Sequence, residues 1–183
     1  MKPAHLISDE ELVEIVRTDD RELFTELIKR YEKKLVRYAT YLINDPDRAA
    51  DAVQEAFIKA FINLHVFDIK KKFSSWIYRI VHNEVMNALK KRRFETPLLE
   101  SMDFPSCNNI EDDISKEDII LMVRSCIGKM SPLYAEPLSL YFLEEKTYEE
   151  ISNILRIPMG TVATRINRAK KIIKKLCQAN QKI

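Results

Sequence analysis

Apolar residues recur at helical spacing over most of this chain, on both sides of one acidic middle segment. Spacings of three and four residues place apolar side chains on one face of a helix, and no stretch shows the sustained alternation of a half-buried strand. The middle segment, residues 94–115, has two prolines, six acidic residues and no lysine or arginine, as is typical of a flexible linker. We therefore predict an all-α protein of two small helical domains, residues 1–93 and 116–183, joined by an acidic linker.

Capping signals divide the first half into four helices. Ser8 and Glu11 have the spacing of a capping box, and Asp19 or Asp20 is placed to cap a long second helix. The break at residues 44–46 ends that helix. The other two helices are expected from about Arg48 to Leu64 and from about Ser74 to Arg93.

In the second half, similar signals predict a helix-turn-helix. A helix is expected to begin at Ser131–Pro132, with a kink or a late start because of Pro137. Thr147 and Glu150 form a capping box for a short helix that ends near Arg156. Pro158 then lies in the first turn of another helix. The core side of that last helix is Val162, Ile166, Ala169 and Ile173.

The third predicted helix has two different faces. The core face is Val53, Phe57, Ala60, Phe61 and Leu64, and the opposite face is Asp51, Gln54, Glu55, Ile58 and Ile62. Aliphatic side chains beside acids have two explanations: they meet another helix of the same domain, or they belong to a surface for a partner protein.

The fourth predicted helix carries aromatic, amide and cationic side chains away from its core face. These residues are Trp76, Arg79, Asn83, Met86, Asn87 and Lys90. Such side chains suit single-stranded DNA, which is bound by aromatic stacking, amide hydrogen bonds to base edges and cations along phosphates. Alternatively, Trp76 is a buried core residue.

The last predicted helix combines the helix-turn-helix position with strong positive charge. Residues 156–183 contain eight lysines and arginines and no acid, which indicates a polyanionic partner. Gly160 would allow the preceding helix or a DNA backbone to approach closely. The outward side chains are Thr161, Ala163, Thr164, Arg165, Asn167, Arg168 and Lys171. They suit base edges and phosphates in the major groove, although a solvated basic helix is the alternative.

Other function classes have little support in the sequence. The three cysteines and three histidines are scattered, so we predict no disulfide framework and no metal site. No nucleophile–base pair, glycine-rich phosphate loop or pair of catalytic carboxylates is found, so we predict no enzyme activity and no cofactor. Because the chain has no signal-peptide-like start and no long apolar run, we expect it in the cytoplasm without membrane insertion.

Three stretches in this order and spacing resemble the extracytoplasmic-function sigma factors of the bacterial sigma-70 family. They are DRAADAVQEAFIKAF, FSSWIYRIVHNEV and TYEEISNILRIPMGTVATRINRAKK. The resemblance implies a non-catalytic RNA polymerase subunit that directs promoter-specific transcription initiation. Its first domain, region 2, would bind the β′ clamp helices and melt the minus-10 element. Its second domain, region 4, would bind the minus-35 element and the β flap. An anti-sigma factor would control the activity of the whole protein.

The resemblance also implies roles for individual residues. Asp51, Gln54 and Glu55 match the core-polymerase stretch, and this favours a partner surface that includes Ile58. Asn83 matches an asparagine of minus-10 recognition, with Trp76, Arg79, Asn87 and Lys90 on the same face. Lys70, Lys71, Lys72 and Phe73 match the loop that captures an unpaired base. Thr164, Arg165, Asn167 and Arg168 match minus-35 contacts. Ala163 replaces a residue that is often basic, and Ala50 one that is commonly glutamate.

Two other functions would use parts of the same sequence. A conventional transcriptional regulator would bind duplex DNA through the helix-turn-helix without polymerase, which leaves the helix with Trp76 and Asn83 unexplained. A protein-interaction module would use only the mixed face of the third helix, and it would show no salt-dependent DNA binding.

Overall fold

The computed structural model describes residues 7–95, 120, 123–124 and 126–180. Over these residues the chain forms helices and turns, without strands, in agreement with the predicted all-α class. It divides into two compact units between Lys91 and Arg92, and each is described separately. The last helix of the first unit reaches Glu95, and the remainder of the predicted linker lies outside the described residues.

The first unit contains four α-helices. They are α1 (Asp9–Thr18), α2 (Phe24–Ile43), α3 (Pro46–Ile62) and α4 (Phe73–Glu95), with 3-10 turns at Arg21–Leu23 and Leu64–Val66. The capping box at α1 is confirmed, because Ser8 and Glu11 each accept a hydrogen bond from the other's backbone amide. Asp20 caps the 3-10 turn before α2, and the helix itself begins four residues later.

The break between α2 and α3 follows from local residue chemistry. Asn44 ends α2 in the left-handed conformation, with a φ of 55° that asparagine tolerates better than most residues. Asp45 then caps α3 by accepting hydrogen bonds from the amides of Asp47 and Arg48, and Pro46 occupies the first turn, where its missing donor costs little. The helix thus begins two residues before the predicted start.

The core of the first unit lies between α2, α3 and α4. The rings of Tyr38 and Tyr78 are 5.5 Å apart and both are fully buried. Small side chains on α3 allow it to lie close to its neighbours, and Ala49, Ala52, Ala56 and Ala60 are all buried. The assignment of Phe61 to the core face is wrong, because this ring is 41% exposed and leans against Phe24 at a centroid distance of 5.1 Å.

The second unit contains α5 (Pro132–Phe142), α6 (Tyr148–Leu155) and α7 (Met159–Asn180). Thr147 and Glu150 form the predicted capping box at α6. The late start expected of α5 is wrong, because the helix begins at Pro132 and continues through the buried Pro137. Burial of the proline ring offsets the loss of one backbone hydrogen bond.

A three-residue turn connects α6 to α7. Arg156 ends α6 in the left-handed conformation, and the Ser152 hydroxyl donates to the Ile157 carbonyl at 2.6 Å. Pro158 lies just before α7, one position earlier than predicted, and its carbonyl accepts from the amides of Thr161 and Val162. The predicted core side of α7 is confirmed: Val162, Ile166, Ala169 and Ile173 are all buried. These elements form the predicted helix-turn-helix.

In the part of the chain that the structure describes, no helix combines the length and apolar character that crossing a membrane requires. The same residues hold no group of three or more histidine, cysteine, aspartate or glutamate side chains arranged for a metal ion. Cys126 is buried in the core of the second unit.

Candidate functional site

Three surfaces carry the side chains that the sequence singles out. The α3 face consists of Asp51, Gln54, Glu55 and Ile58. The α4 face consists of Trp76, Arg79, Asn83, Asn87 and Lys90, together with the lysine loop, residues 67–73, that precedes α4. The α7 face consists of Thr161, Ala163, Thr164, Arg165, Asn167, Arg168 and Lys171. The first two belong to the first unit, and the third to the second unit.

The α3 face borders an apolar groove between α2 and α3. The groove has a volume of about 620 Å³, and its walls include Phe24, Ile28 and Val36 from α2 and Val53, Phe57 and Phe61 from α3. Ile58 and Gln54 form part of its rim, and Ile58 is 47% exposed. Among the described residues, therefore, Ile58 is not covered by another helix of its own unit, which favours the partner-surface explanation. Ala50 also lines the groove, and its small side chain leaves the groove open on that side.

Charged side chains lie beside this groove on α3, and Arg21 and Glu32 line part of it. Asp51, Gln54 and Glu55 are all exposed. Lys59 bridges Glu55 at 3.5 Å and Glu84 of α4 at 2.8 Å, and the hydrogen bond to Glu84 raises the pKa of the Lys59 ammonium. An apolar centre with a polar and charged rim is the usual arrangement of a protein–protein interface.

The α4 face runs along one side of the helix. Asn83, Asn87 and Lys90 are exposed, and Arg79 is half-buried. From Trp76 to Lys90 the face is about 21 Å long, at 1.5 Å per residue. Amides and cations in one row can contact several successive nucleotides of a strand.

Trp76 is partly buried in the core and partly accessible. Its ring lies 5.2 Å from that of Phe67 and 5.7 Å from that of Phe73, yet the side chain is only half-buried. One side of the indole thus packs on the unit's aromatic cluster, and the remainder stays accessible at the start of the α4 face.

The lysine loop presents its cations to solvent. Lys70, Lys71 and Lys72 are exposed, and Asp68 shapes the turn by accepting from the amides of Lys70 and Lys71. The prediction that Phe73 contacts DNA is wrong. Its side chain is fully buried against Tyr31, Phe67 and Trp76, because an aromatic ring at this position anchors the start of α4 in the core.

The α7 face is placed at the exposed start of its helix. Thr164, Asn167 and Arg168 are exposed, whereas Thr161, Ala163, Arg165 and Lys171 are half-buried. The Thr164 hydroxyl donates to the Gly160 carbonyl at 2.8 Å, so its acceptor lone pairs and its methyl group remain for a ligand. The N-terminus of a helix also favours a phosphate through its partial positive charge.

The space around Gly160 is open. A Cβ at this residue would meet no atom within 4 Å, so close approach of the preceding helix does not explain the glycine. Instead, Gly160 lines a groove of about 380 Å³ with Leu133 and Tyr134 of α5 and the side chains of Thr161, Thr164, Arg165 and Arg168. The part that α5 takes in this groove was not predicted, because Leu133 and Tyr134 carry no motif of their own.

Family models match both units. The Sigma-70 region 2 model matches residues 27–95, and the Sigma-70, region 4 model matches residues 120–173. The chain is 30% identical to the ECF RNA polymerase sigma factor SigW of Bacillus subtilis, over 87% of this chain and 91% of SigW. It is 32% identical to the ECF RNA polymerase sigma-E factor of Escherichia coli K12, over 91% and 93% of the two chains.

Two solved structures have the same fold as this chain. CnrH in complex with the cytosolic domain of CnrY has a TM-score of 0.71 at 21% identity, over 93% of this chain and 97% of CnrH. The Bartonella quintana sigma factor RpoE, in complex with the anti-sigma factor NepR, has a TM-score of 0.63 at 21% identity, over 85% and 96% of the two chains. The chain belongs to the extracytoplasmic-function sigma factors, the bacterial RNA polymerase subunits that direct promoter-specific transcription initiation.

Proposed function

We propose that the three surfaces divide the work of initiation among polymerase, melted DNA and duplex DNA. The α3 face binds the β′ clamp helices of the polymerase core, and the α4 face and lysine loop bind the minus-10 strand. The α7 face binds the minus-35 duplex, and the second unit also meets the β flap. In this proposal residues 1–93 act as region 2, residues 94–115 as the linker and residues 116–183 as region 4.

The observation that carries the polymerase assignment is the open apolar groove beside Ile58. Isoleucine and phenylalanine side chains at its rim remain exposed in the isolated chain. Covering them with a partner removes apolar surface from water, which favours formation of a complex. The exposed acids Asp51 and Glu55 of the α3 face favour a partner that carries basic groups at matching positions.

The promoter is opened by binding energy alone. The chain makes and breaks no covalent bond, and the polymerase core synthesises the RNA. Strand separation is favoured because the α4 face and the lysine loop bind unpaired bases. Duplex DNA does not present its bases in this form, so the melted state is bound more tightly. The chain acts in the cytoplasm, where the bacterial chromosome and its polymerase are found.

We further propose control by an anti-sigma factor. The two structural relatives are each bound to a second chain: CnrH to the cytosolic domain of CnrY, and RpoE to the anti-sigma factor NepR. An uncovered apolar groove such as the one beside Ile58 is a surface that a regulatory chain can cover. Binding of the anti-sigma factor and of the polymerase core at this groove would then be mutually exclusive.

Asn83→Ala is expected to weaken promoter opening without affecting the fold. The side chain is exposed, so its removal leaves the core intact. Without the amide group that would bond an unpaired base, affinity for the minus-10 strand is expected to fall about tenfold. Holoenzyme binding to a fluorescent single-stranded oligonucleotide measures the change, and permanganate footprinting measures opening.

The matched control is Asn63→Ala, which removes an exposed asparagine at the end of α3. It should bind and open the promoter as the unmodified chain does. Equal strand affinity and equal opening in Asn83→Ala would contradict the assignment of the α4 face.

A further inference from the structure

The lysine loop is attached at both ends to α1, a helix that precedes the residues matched by the region 2 model. Five residues, 68–72, connect the buried Phe67 to the buried Phe73. Three of them are the exposed lysines. The direction in which these cations point therefore depends on how the two ends are held.

Arg17 holds the first end. Its Nε donates to the Leu64 carbonyl at 2.9 Å, and its Nη2 donates to the carbonyls of both Leu64 and Phe67. The guanidinium carbon also lies 6.0 Å from the centroid of the Phe67 ring. A planar guanidinium can bridge two carbonyls in this way, whereas a lysine ammonium lacks the fork geometry.

Glu10 holds the second end. Its carboxylate accepts a hydrogen bond from the backbone amide of Phe73 at 2.8 Å, and this amide belongs to the first turn of α4, where no helical acceptor exists. Glu10 and Arg17 are seven residues apart, or two helical turns, so they lie on one side of α1 about 10 Å apart along its axis.

The helix α1 is itself fixed to α2. Asp9 pairs with Arg30 at 2.6 Å and accepts a hydrogen bond from the Tyr31 hydroxyl. Burial and this hydrogen bond raise the pKa of the Tyr31 phenol, which therefore stays protonated and keeps donating. The buried side chains of Leu12, Val13 and Val16 add an apolar contact. A rigid support thus stands behind both ends of the loop.

We propose that Arg17 and Glu10 are positioning residues that hold the lysine loop in the shape that receives an unpaired promoter base. Neither side chain touches DNA in this account, since both bond to backbone atoms of the loop ends. The inference rests on the proposed role of the loop in binding the minus-10 strand.

A double-mutant cycle with the loop tests the inference. Holoenzyme made from the full chain and polymerase core is titrated against a fluorescent single-stranded oligonucleotide of a minus-10 element. Arg17→Met is expected to weaken binding about fivefold, because it removes the hydrogen bonds that the charged guanidinium donates to the Leu64 and Phe67 carbonyls. In the background K70A/K71A/K72A the same change should have almost no further effect, because residues that act through one another are not additive.

Substitutions of Glu10 supply a second test, in which the variants are less prone to misfold. Glu10→Gln keeps an acceptor for the Phe73 amide and should bind the oligonucleotide as the unmodified chain does, whereas Glu10→Leu should weaken binding about fivefold. Lys29→Met is the matched control. It removes an exposed cation of α2 that pairs within its own helix, with Glu26 at 4.0 Å, so any effect it has should be the same in both loop backgrounds.

The outcomes separate the inference from the proposed function. Additive effects of Arg17→Met and the loop substitutions, or full strand affinity in both Arg17→Met and Glu10→Leu, would overturn the inference alone. Unchanged strand affinity in K70A/K71A/K72A would overturn the role of the loop in DNA binding, and the inference with it.

Discussion

Ile58→Asp is expected to abolish stable assembly with the polymerase core, with an affinity loss of about 100-fold, or about 3 kcal/mol. Ile58 is half-exposed at the rim of the apolar groove. A partner seated there would desolvate the new carboxylate, which would also lie beside the exposed acids Asp51 and Glu55 of the same helix face. The fold should be unaffected, since the side chain already faces solvent. Titration of labelled core polymerase with the variant measures the loss.

Val66→Asp is the matched control for this prediction. Val66 is also an exposed aliphatic residue of the first unit, 64% accessible, but it is not among the residues that line the groove. The same substitution there should leave core affinity within about twofold of the unmodified chain, as is usual for surface changes outside an interface. If Ile58→Asp and Val66→Asp bind core equally well, the α3 face is not the polymerase surface.

Joint replacement of Arg165 and Arg168 by alanine is expected to lower minus-35 duplex affinity about 100-fold. Both arginines line the groove that Gly160 leaves open on α7. A bidentate arginine pairing with guanine contributes about 1 to 3 kcal/mol of discrimination, and removal of a cation that binds phosphate also reduces the salt dependence of binding. Titration of a minus-35 duplex at several salt concentrations measures both effects.

Lys175→Ala is the control for charge alone. Lys175 is exposed on the same helix, about 15 Å along the axis from Arg165. Its removal lowers the net charge of the second unit but leaves the groove intact, so specific affinity should fall by about twofold at most. A loss in Lys175→Ala as large as that in the double variant would mean that the helix binds DNA only through its overall charge.

The features that the sequence predicted well are those determined by neighbouring residues. Both capping boxes, Ser8–Glu11 and Thr147–Glu150, occur as expected because their hydrogen bonds join residues three positions apart. The core side of α7 follows from helical periodicity alone. The exposed positions on α3 and α4 follow in the same way, because the side opposite a core stripe is accessible unless another element covers it.

The errors arise where distant segments meet. Phe61 has the spacing of a core residue, yet α2 leaves a groove beside it and the ring stays half-exposed. Phe73 looks like a loop residue, yet Tyr31, 42 positions earlier, provides an aromatic surface that buries it. The bonds of Arg17 and Glu10 to the lysine loop span 47 to 63 positions. The spacing of apolar residues within one helix does not predict contacts between residues so far apart in the sequence.

Run-off transcription with purified polymerase core tests the central claim most directly. The template is a library of genomic fragments, and the reaction is run with core alone and with core plus this chain. The account predicts discrete transcripts that need both components and start downstream of a shared pair of minus-35 and minus-10 sequences. A chain that binds duplex DNA yet yields no additional transcript with core would contradict the account, because a regulator or an interaction module cannot supply initiation.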